Sequence, residues 1–139
     1  MIWIRFPEDN RFALAGAKII EFGTRQLKKW QFWVRNMSKI QQIQEFLKKQ
    51  PGDAFLTHAL ALEYIKAEDL ERARNLFEDL LGRQPDYVGS YYHLAGLLAK
   101  MGEKDQAIDW YEKGIDAAKK AGDQHALREL QSALEELVY

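Results

Sequence analysis

The sequence predicts an all-α protein built of antiparallel helix–turn–helix repeats. The chain matches itself when it is shifted by 34 residues. The residues that superpose under this shift are the pairs Leu60 and Leu94, Ala61 and Ala95, Ala73 and Ala107, and Phe77 and Tyr111. A fixed period of this kind is typical of stacked helical repeats, because each repeat buries its apolar side only against a neighbour. We therefore expect an α-solenoid of about two full repeats, with a preceding half-repeat and a C-terminal capping helix.

The half-repeat is a helix that follows Ser38. Ser38 and Gln41, three residues on, form a capping-box pattern. Ile40 and Ile43 begin an apolar stripe at helical spacing, and Pro51-Gly52 ends the helix. In the 34-residue register this segment corresponds to the second helix of a repeat.

Two full repeats follow, over residues of about 54–87 and 88–121. Asp53, Asp69 and Asp105 each stand where an aspartate caps a helix N-terminus. Gly102 is placed to adopt the left-handed conformation of a helix end. The helices predicted for this region span about 54–66, 70–82, 87–100 and 105–121.

The last predicted helix spans about 124–138 and caps the repeats. Its apolar side carries leucines at helical spacing, namely Leu127, Leu130, Leu134 and Leu137. Its other side is polar. A terminal helix with one polar side is what keeps an open-ended repeat array soluble.

Residues 1–36 differ in composition from residues 37–139. They have a net charge of +4, against −5 for the rest, and contain three of the four tryptophans. This basic aromatic extension has three interpretations: a partly helical cap on the repeats, a membrane-surface element over residues 24–36, or a disordered extension. We expect residues 24–36 to cap the repeats and residues 1–12 to be disordered. The repeat domain is expected to span residues 37–139.

Composition excludes several classes of function. The net charge is −1, so no global field favours nucleic acid. The chain has no cysteine, which excludes disulfides and thiolate chemistry and fits a reducing compartment, so we expect a cytoplasmic protein. No phosphate-binding loop, G-x-S-x-G or H-E-x-x-H pattern occurs. We therefore expect neither catalysis nor a cofactor.

Three histidines recur near one place in successive repeats. His58, His93 and His125 lie 35 and 32 residues apart, a spacing that raises the hypothesis of a transition-metal site. Their positions in the repeat differ by up to two residues, which rotates them by as much as ~200° around a helix. They also lack carboxylate or thiolate partners in the pattern, so we predict no metal site.

The repeated residues resemble those of the tetratricopeptide repeat family. In the first repeat the residues at the family's characteristic positions are Thr57, Leu60, Ala61, Tyr64, Ala73, Phe77, Leu80 and Pro85. In the second they are Tyr91, Leu94, Ala95, Leu98, Ala107, Tyr111 and Gly114. Three residues depart from the family pattern: Glu68 stands for the usual turn glycine, Leu80 for a small residue and Lys119 for proline. The last departure predicts a long final helix in the second repeat.

The resemblance implies a TPR-like groove, lined by the first helix of each repeat, that binds a peptide or helix of a partner protein. Its predicted lining consists of Phe55, His58, Leu62, Ile65, Lys66, Tyr92, Lys100, Ala126 and Leu130. One subgroup of the family binds chaperone C-termini through a carboxylate clamp of Lys, Arg and Asn. Here the clamp positions hold His58, Leu62, His93, Asp123 and Ala126, so that ligand class is not expected.

Two functions remain open from the sequence. The first is a non-catalytic adaptor that binds a partner protein or peptide in the groove. The second is a self-associating structural module, whose groove is filled by residues 24–35 or by the second subunit of a homodimer. A protein with an open apolar groove needs one of these occupants, because large exposed apolar patches are rare on monomers.

Overall fold

The computed structural model describes residues 38–139, and these form six α-helices without a β-strand. The helices are α1 (Lys39–Lys49), α2 (Ala54–Lys66), α3 (Leu70–Arg83), α4 (Gly89–Lys100), α5 (Lys104–Ala121) and α6 (Gln124–Val138). The predicted all-α repeat fold is confirmed. Predictions for residues 1–36, and for a domain boundary next to Met37, fall outside the described residues.

The chain divides after Gln42, and Ile43–Tyr139 forms one compact unit. Before this division, the predicted capping box is present. The backbone N–H of Ser38 donates to Oε1 of Gln41 over 3.1 Å, and the backbone N–H of Gln41 donates to Oγ of Ser38 over 3.2 Å. Two otherwise unsatisfied donors at the start of α1 are thereby paired.

Aspartate side chains cap three of the helices. In each case a backbone N–H of the first turn donates to the carboxylate: that of Leu56 to Asp53 over 2.7 Å, that of Arg72 to Asp69 over 3.3 Å and that of Ala126 to Asp123 over 3.0 Å. Each such cap contributes about 1 kcal/mol to stability.

The predicted cap at Asp105 is wrong. Helix α5 begins at Lys104, and its N-cap is Glu103, which makes no side-chain capping bond. Gly102 has φ +85°, and the N–H of Glu103 donates back to the carbonyl of Leu98 over 2.9 Å. This backbone hydrogen bond ends α4 with a tight turn, so that α5 begins at Lys104 and Asp105 already lies inside the helix.

The helices pack as successive hairpins. Helix α2 packs against α3, α4 against α5, and α5 against α6, while α3 and α4 join the two repeats. The first helices α2, α4 and α6 are also neighbours, since α4 contacts both α2 and α6. Helix α4 is therefore the centre of the unit.

The core consists of the residues that define the period. Ala61, Ala73, Ala95 and Ala107 have no exposed surface, which places them where helices approach closely. Phe77 is fully buried and its counterpart Tyr111 is 5% exposed. Burying one large apolar side chain of this kind contributes about 2–3 kcal/mol before entropy costs.

Helix α5 is long, as predicted from the missing proline. It has 18 residues against 14 for α3, and ends at Gly122 with φ +70°. None of the helices in the described part is long and apolar enough to cross a membrane.

Candidate functional site

The first helices α2, α4 and α6 stand side by side, and we call their exposed and half-buried side chains the groove face. Phe55 is 69% exposed on α2, and Tyr92 is 42% exposed on α4. Lys66 and Lys100 are exposed at the ends of these helices. The half-buried members of the predicted lining are His58, Leu62, Ile65 and Ala126.

Leu130 differs from the other residues of the predicted lining. It is only 1% exposed, and its Cδ2 atom lies 3.1 Å from where a Cβ on Gly114 would be. Leu130 therefore belongs to the core between α5 and α6 and offers no surface to a ligand.

A cluster of aromatic rings surrounds His58 in the middle of the groove face. The ring centroid of His58 lies 5.3 Å from that of His93, 5.5 Å from that of Phe77 and 5.6 Å from that of Tyr87. Nδ1 of His58 is 2.8 Å from Oγ of Ser90, a hydrogen bond to a fully buried hydroxyl. The cluster joins the first helices of the two repeats.

The surroundings of this cluster disfavour charge on both imidazoles. Burial, together with the smaller effect of the neighbouring His93, lowers the pKa of His58 to about 4. Burial also lowers the pKa of His93, although the Glu129 carboxylate opposes that shift. Both histidines are therefore neutral at pH 7, and the middle of the groove face is aromatic and uncharged.

The third histidine is not part of this cluster. The side chain of His125 is 79% exposed, and its Nε2 lies 3.2 Å from Oε1 of Glu129 one turn along α6. Within residues 38–139, no group of three or more His, Cys, Asp or Glu side chains is arranged to hold a metal ion.

The lysines at the edge of the groove face are paired with carboxylates. Nζ of Lys66 lies 2.8 Å from Oε1 of Glu63, and Nζ of Lys100 lies 3.3 Å from Oε1 of Glu68. The basic edge that the sequence predicts is thus largely compensated in charge.

A pocket opens between α4 and α6 beside Tyr92. It has a volume of about 310 Å³ and is lined by Tyr92, Arg128, Glu129, Ser132, Ala133 and Glu136. We call it the Tyr92 pocket. The sequence places the charged residues among them only on the polar side of a capping helix. It cannot find the pocket, because the pocket forms only where α6 meets Tyr92.

A larger cleft lies away from the groove face, beside the connection between α3 and α4. Its volume is about 570 Å³, and its lining comprises Pro85, Asp86, Tyr91, Lys113, Asp116, Ala117, Lys120 and Ala121. The hydroxyl of Tyr91 donates to the carbonyl of Pro85 over 2.6 Å, so its polar group is already satisfied. Two lysines and two aspartates balance the charge of this cleft.

These features define a helical-repeat protein whose first helices present an aromatic face. A family profile described as tetratricopeptide repeat matches residues 58–122. A tetratricopeptide repeat domain protein of Salinibacter ruber is 45% identical in sequence, over 61% of this chain and 94% of that one, with a TM-score of 0.59. The chain therefore belongs to the tetratricopeptide repeat family, as its residues predict.

Two further solved structures share the fold at lower identity. A protein of Bordetella parapertussis is 24% identical, over 73% of this chain and 89% of that one, with a TM-score of 0.66. The TPR2B domain of yeast Sti1, solved in a complex with pHsp70, is 15% identical, over 88% of this chain and 95% of that one, with a TM-score of 0.68. No curated protein matches the chain significantly.

Proposed function

We propose that this protein is a non-catalytic adaptor that binds a peptide segment of a partner protein across the groove face. The observation that carries the proposal is the exposure of two large aromatic side chains on neighbouring first helices. Phe55 is 69% exposed and Tyr92 is 42% exposed. Aromatic side chains that project from a rigid scaffold are the residues that most often dominate the energy of protein interfaces.

The residues between these two aromatics also suit a peptide. His58 and His93 are neutral at pH 7, and the half-buried Leu62 and Ile65 add apolar surface on α2. A peptide bound here would therefore bury apolar surface without removing water from charged groups of the protein, and both effects favour binding. We expect an affinity on the order of micromolar, or about 8 kcal/mol.

The fold relation to the Sti1 domain supports peptide binding in general but not the same ligand. The five clamp positions hold His58, Leu62, His93, Asp123 and Ala126, and none of these carries the Lys, Arg or Asn that grips a terminal carboxylate. We therefore propose a partner segment that is recognised through its side chains.

Selection from a phage-displayed library of random peptides tests this function with the full chain. Peptides selected by the wild-type protein are synthesised, and their affinities are measured by calorimetry. The variant Phe55→Glu/Tyr92→Ala is expected to weaken binding by at least about tenfold, since loss of an aromatic anchor costs more than 1 kcal/mol. The matched control is Phe46→Glu, because Phe46 is 58% exposed but lies on α1, outside the first helices.

Two results would contradict the proposal. One is that Phe46→Glu weakens the selected peptides as much as the groove variant does, which would mean non-specific binding to exposed aromatics. The other is that no peptide is selected and sedimentation velocity shows a stable dimer. In that case a second copy covers the groove face, and the protein is a self-associating module.

A further inference from the structure

We propose that the partner segment carries an arginine or lysine side chain that enters the Tyr92 pocket, beside the apolar residues that cover Phe55 and Leu62. This inference rests on the proposed function and adds the chemistry of the ligand. It depends on the shape of the pocket, on two carboxylates that form no ion pair with Lys or Arg in the described part of the chain, and on an exposed aromatic ring.

The geometry of α6 gathers the two carboxylates on one wall. Glu129, Ala133 and Glu136 follow one another at spacings of four and three residues, so they lie along one side of the helix. Tyr92 of α4 forms the opposite wall, and the space between them is about 310 Å³. A space of this size is at the small end of ligand pockets and suits a single side chain.

Within residues 38–139, the two carboxylates have no permanent counter-charge in an ion pair. Glu136 makes no ion pair with any of the residues the structure describes, and Glu129 pairs only with His125, which is charged only when protonated. Arg128 is the one cation in the lining of this pocket, and its Nε donates to the carbonyl of Gln124 over 3.2 Å. Two carboxylates against one guanidinium leave the pocket with a net negative charge.

Both carboxylates lie close enough to aromatic residues next to the pocket, His93 and Tyr111, to affect their ionisation. The charge of Glu129 opposes the burial that lowers the pKa of His93. Burial raises the pKa of Tyr111, and Tyr92 and Glu136 add to that shift. The ring centroids of Tyr92 and Tyr111 are 6.4 Å apart. A cation in the pocket would therefore meet carboxylates on one side and the face or edge of an aromatic ring on the other, two arrangements that attract arginine and lysine.

The polar residues of this wall replace core residues of the repeats. One period earlier, the positions of Arg128, Glu129 and Ser132 are held by Leu94, Ala95 and Leu98, which have no exposed surface. Solubility of a capping helix accounts for polar residues at these positions. It does not account for Glu136 and an exposed Tyr92 that face each other across a pocket.

The peptides selected by the wild-type chain provide the test. We expect them to be enriched in Arg or Lys next to apolar residues. Replacing that basic residue with Gln should weaken binding about threefold to tenfold, as should the protein variant Glu129→Gln/Glu136→Gln, because each partly exposed ion pair contributes up to about 1 kcal/mol. The two changes together should cost little more than either alone. Arg128→Gln should strengthen binding of the basic peptide.

The matched control is Glu112→Gln/Glu135→Gln. It changes the net charge equally, at exposed carboxylates that do not line the pocket. If the two double variants weakened binding equally, the effect would come from the net charge of the protein and the inference would be overturned. Selected peptides without basic residues would overturn it as well. In both cases the proposal of peptide binding would stand. If no peptide is selected, because residues 1–37 or a second copy fill the groove face, both proposals fail.

Discussion

Both helices of the first repeat begin at an aspartate that caps them, whereas neither helix of the second repeat has a side-chain cap. Asp53 and Asp69 accept backbone hydrogen bonds at the starts of α2 and α3. The N-caps of α4 and α5, Val88 and Glu103, make no such bond. Between the two first helices, burial differs in the opposite sense, whereas the second helices α3 and α5 each bury four residues. Six of the 12 residues of α4 are buried, against four of the 13 residues of α2.

This contrast follows from the position of each repeat in the array. Helix α4 packs against α2, α3, α5 and α6, so tertiary contacts define its ends without local help. Among the helices that the structure describes, α2 packs mainly against α3 and α4. In addition, Nε2 of Gln44 donates a hydrogen bond of 3.0 Å to the hydroxyl of Tyr64. Local capping therefore matters most where packing is least extensive.

A second contrast lies inside the repeats, at the positions where the first helix meets the second. In the first repeat these positions hold Thr57 and Leu80, and in the second they hold Tyr91 and Gly114. All four are buried. A Cβ atom on Gly114 would lie 2.6 Å from Cβ of Tyr91, which is too close for any real pair. The helices of the second repeat thus approach so closely here that position 114 has room only for glycine, whereas the first repeat accommodates the side chain of Leu80.

The variant Gly114→Leu should break this pairing and gives the largest expected effect. It places the Leu80 side chain of the first repeat opposite Tyr91, and the overpacking should lower the free energy of unfolding by about 3 kcal/mol. The double variant Tyr91→Thr/Gly114→Leu copies the pair of the first repeat but keeps a Cβ atom at position 91, so it should recover little of that loss. Urea denaturation followed by circular dichroism measures both.

The control for this prediction is Gly82→Ala in α3. No atom lies within 4 Å of a Cβ built there, so the change should raise stability by up to about 1 kcal/mol through helix propensity alone. If Gly114→Leu were as harmless as Gly82→Ala, or if Tyr91→Thr restored full stability to Gly114→Leu, the close approach of the two Cβ positions would not be the cause of the loss.

Stability should also depend on pH through His58, which has Tyr92 as its counterpart in the second repeat. The pKa of His58 in the folded state is about 4, below the usual 6.5, so the unfolded chain takes up the proton first as pH falls. Stability should be complete above pH 6.5 and decrease between pH 6.5 and 4. We expect a loss of about 1–2 kcal/mol for this half-buried group after solvent screening.

The variant His58→Gln separates this effect from the titration of carboxylates. In this variant the free energy of unfolding, measured by urea denaturation at each pH, should decrease less between pH 7 and pH 5 than in the wild type. His93 should account for part of the remaining decrease, because burial lowers its pKa too. His125→Gln is the control, since its side chain is 79% exposed. Identical pH profiles for wild type and His58→Gln would rule out the imidazole as the cause.

The groove face illustrates how far the sequence predicts this molecule. The period locates Phe55 and Tyr92 on first helices, since it depends on local spacing. The contact of His58 with His93 was not predicted, because an offset of one position turns a side chain by ~100° and suggests separation. In the structure the two rings are in contact because α2 and α4 lie side by side and the two residues are on the sides of these helices that face each other. Ser90 joins them for the same reason.

The smallest expected effect concerns the turns inside the two repeats. Glu68 has φ +61° where the second repeat has Gly102 with φ +85°. A residue with a Cβ is strained there by about 1 kcal/mol, whereas glycine is not. Glu68→Gly should therefore raise the free energy of unfolding by about 0.5–1 kcal/mol, although it removes the exposed ion pair with Lys100, which contributes little.

Two further variants separate backbone strain from charge at this turn. Gly102→Ala should lower stability by about 1 kcal/mol, because it introduces into the second repeat the strain that Glu68 imposes on the first. Glu68→Gln removes only the charge, so it should leave stability nearly unchanged. If Glu68→Gly instead lowered the midpoint of urea denaturation, the ion pair between Glu68 and Lys100 would outweigh the strain. The first repeat would then hold its turn through a side-chain contact where the second relies on glycine.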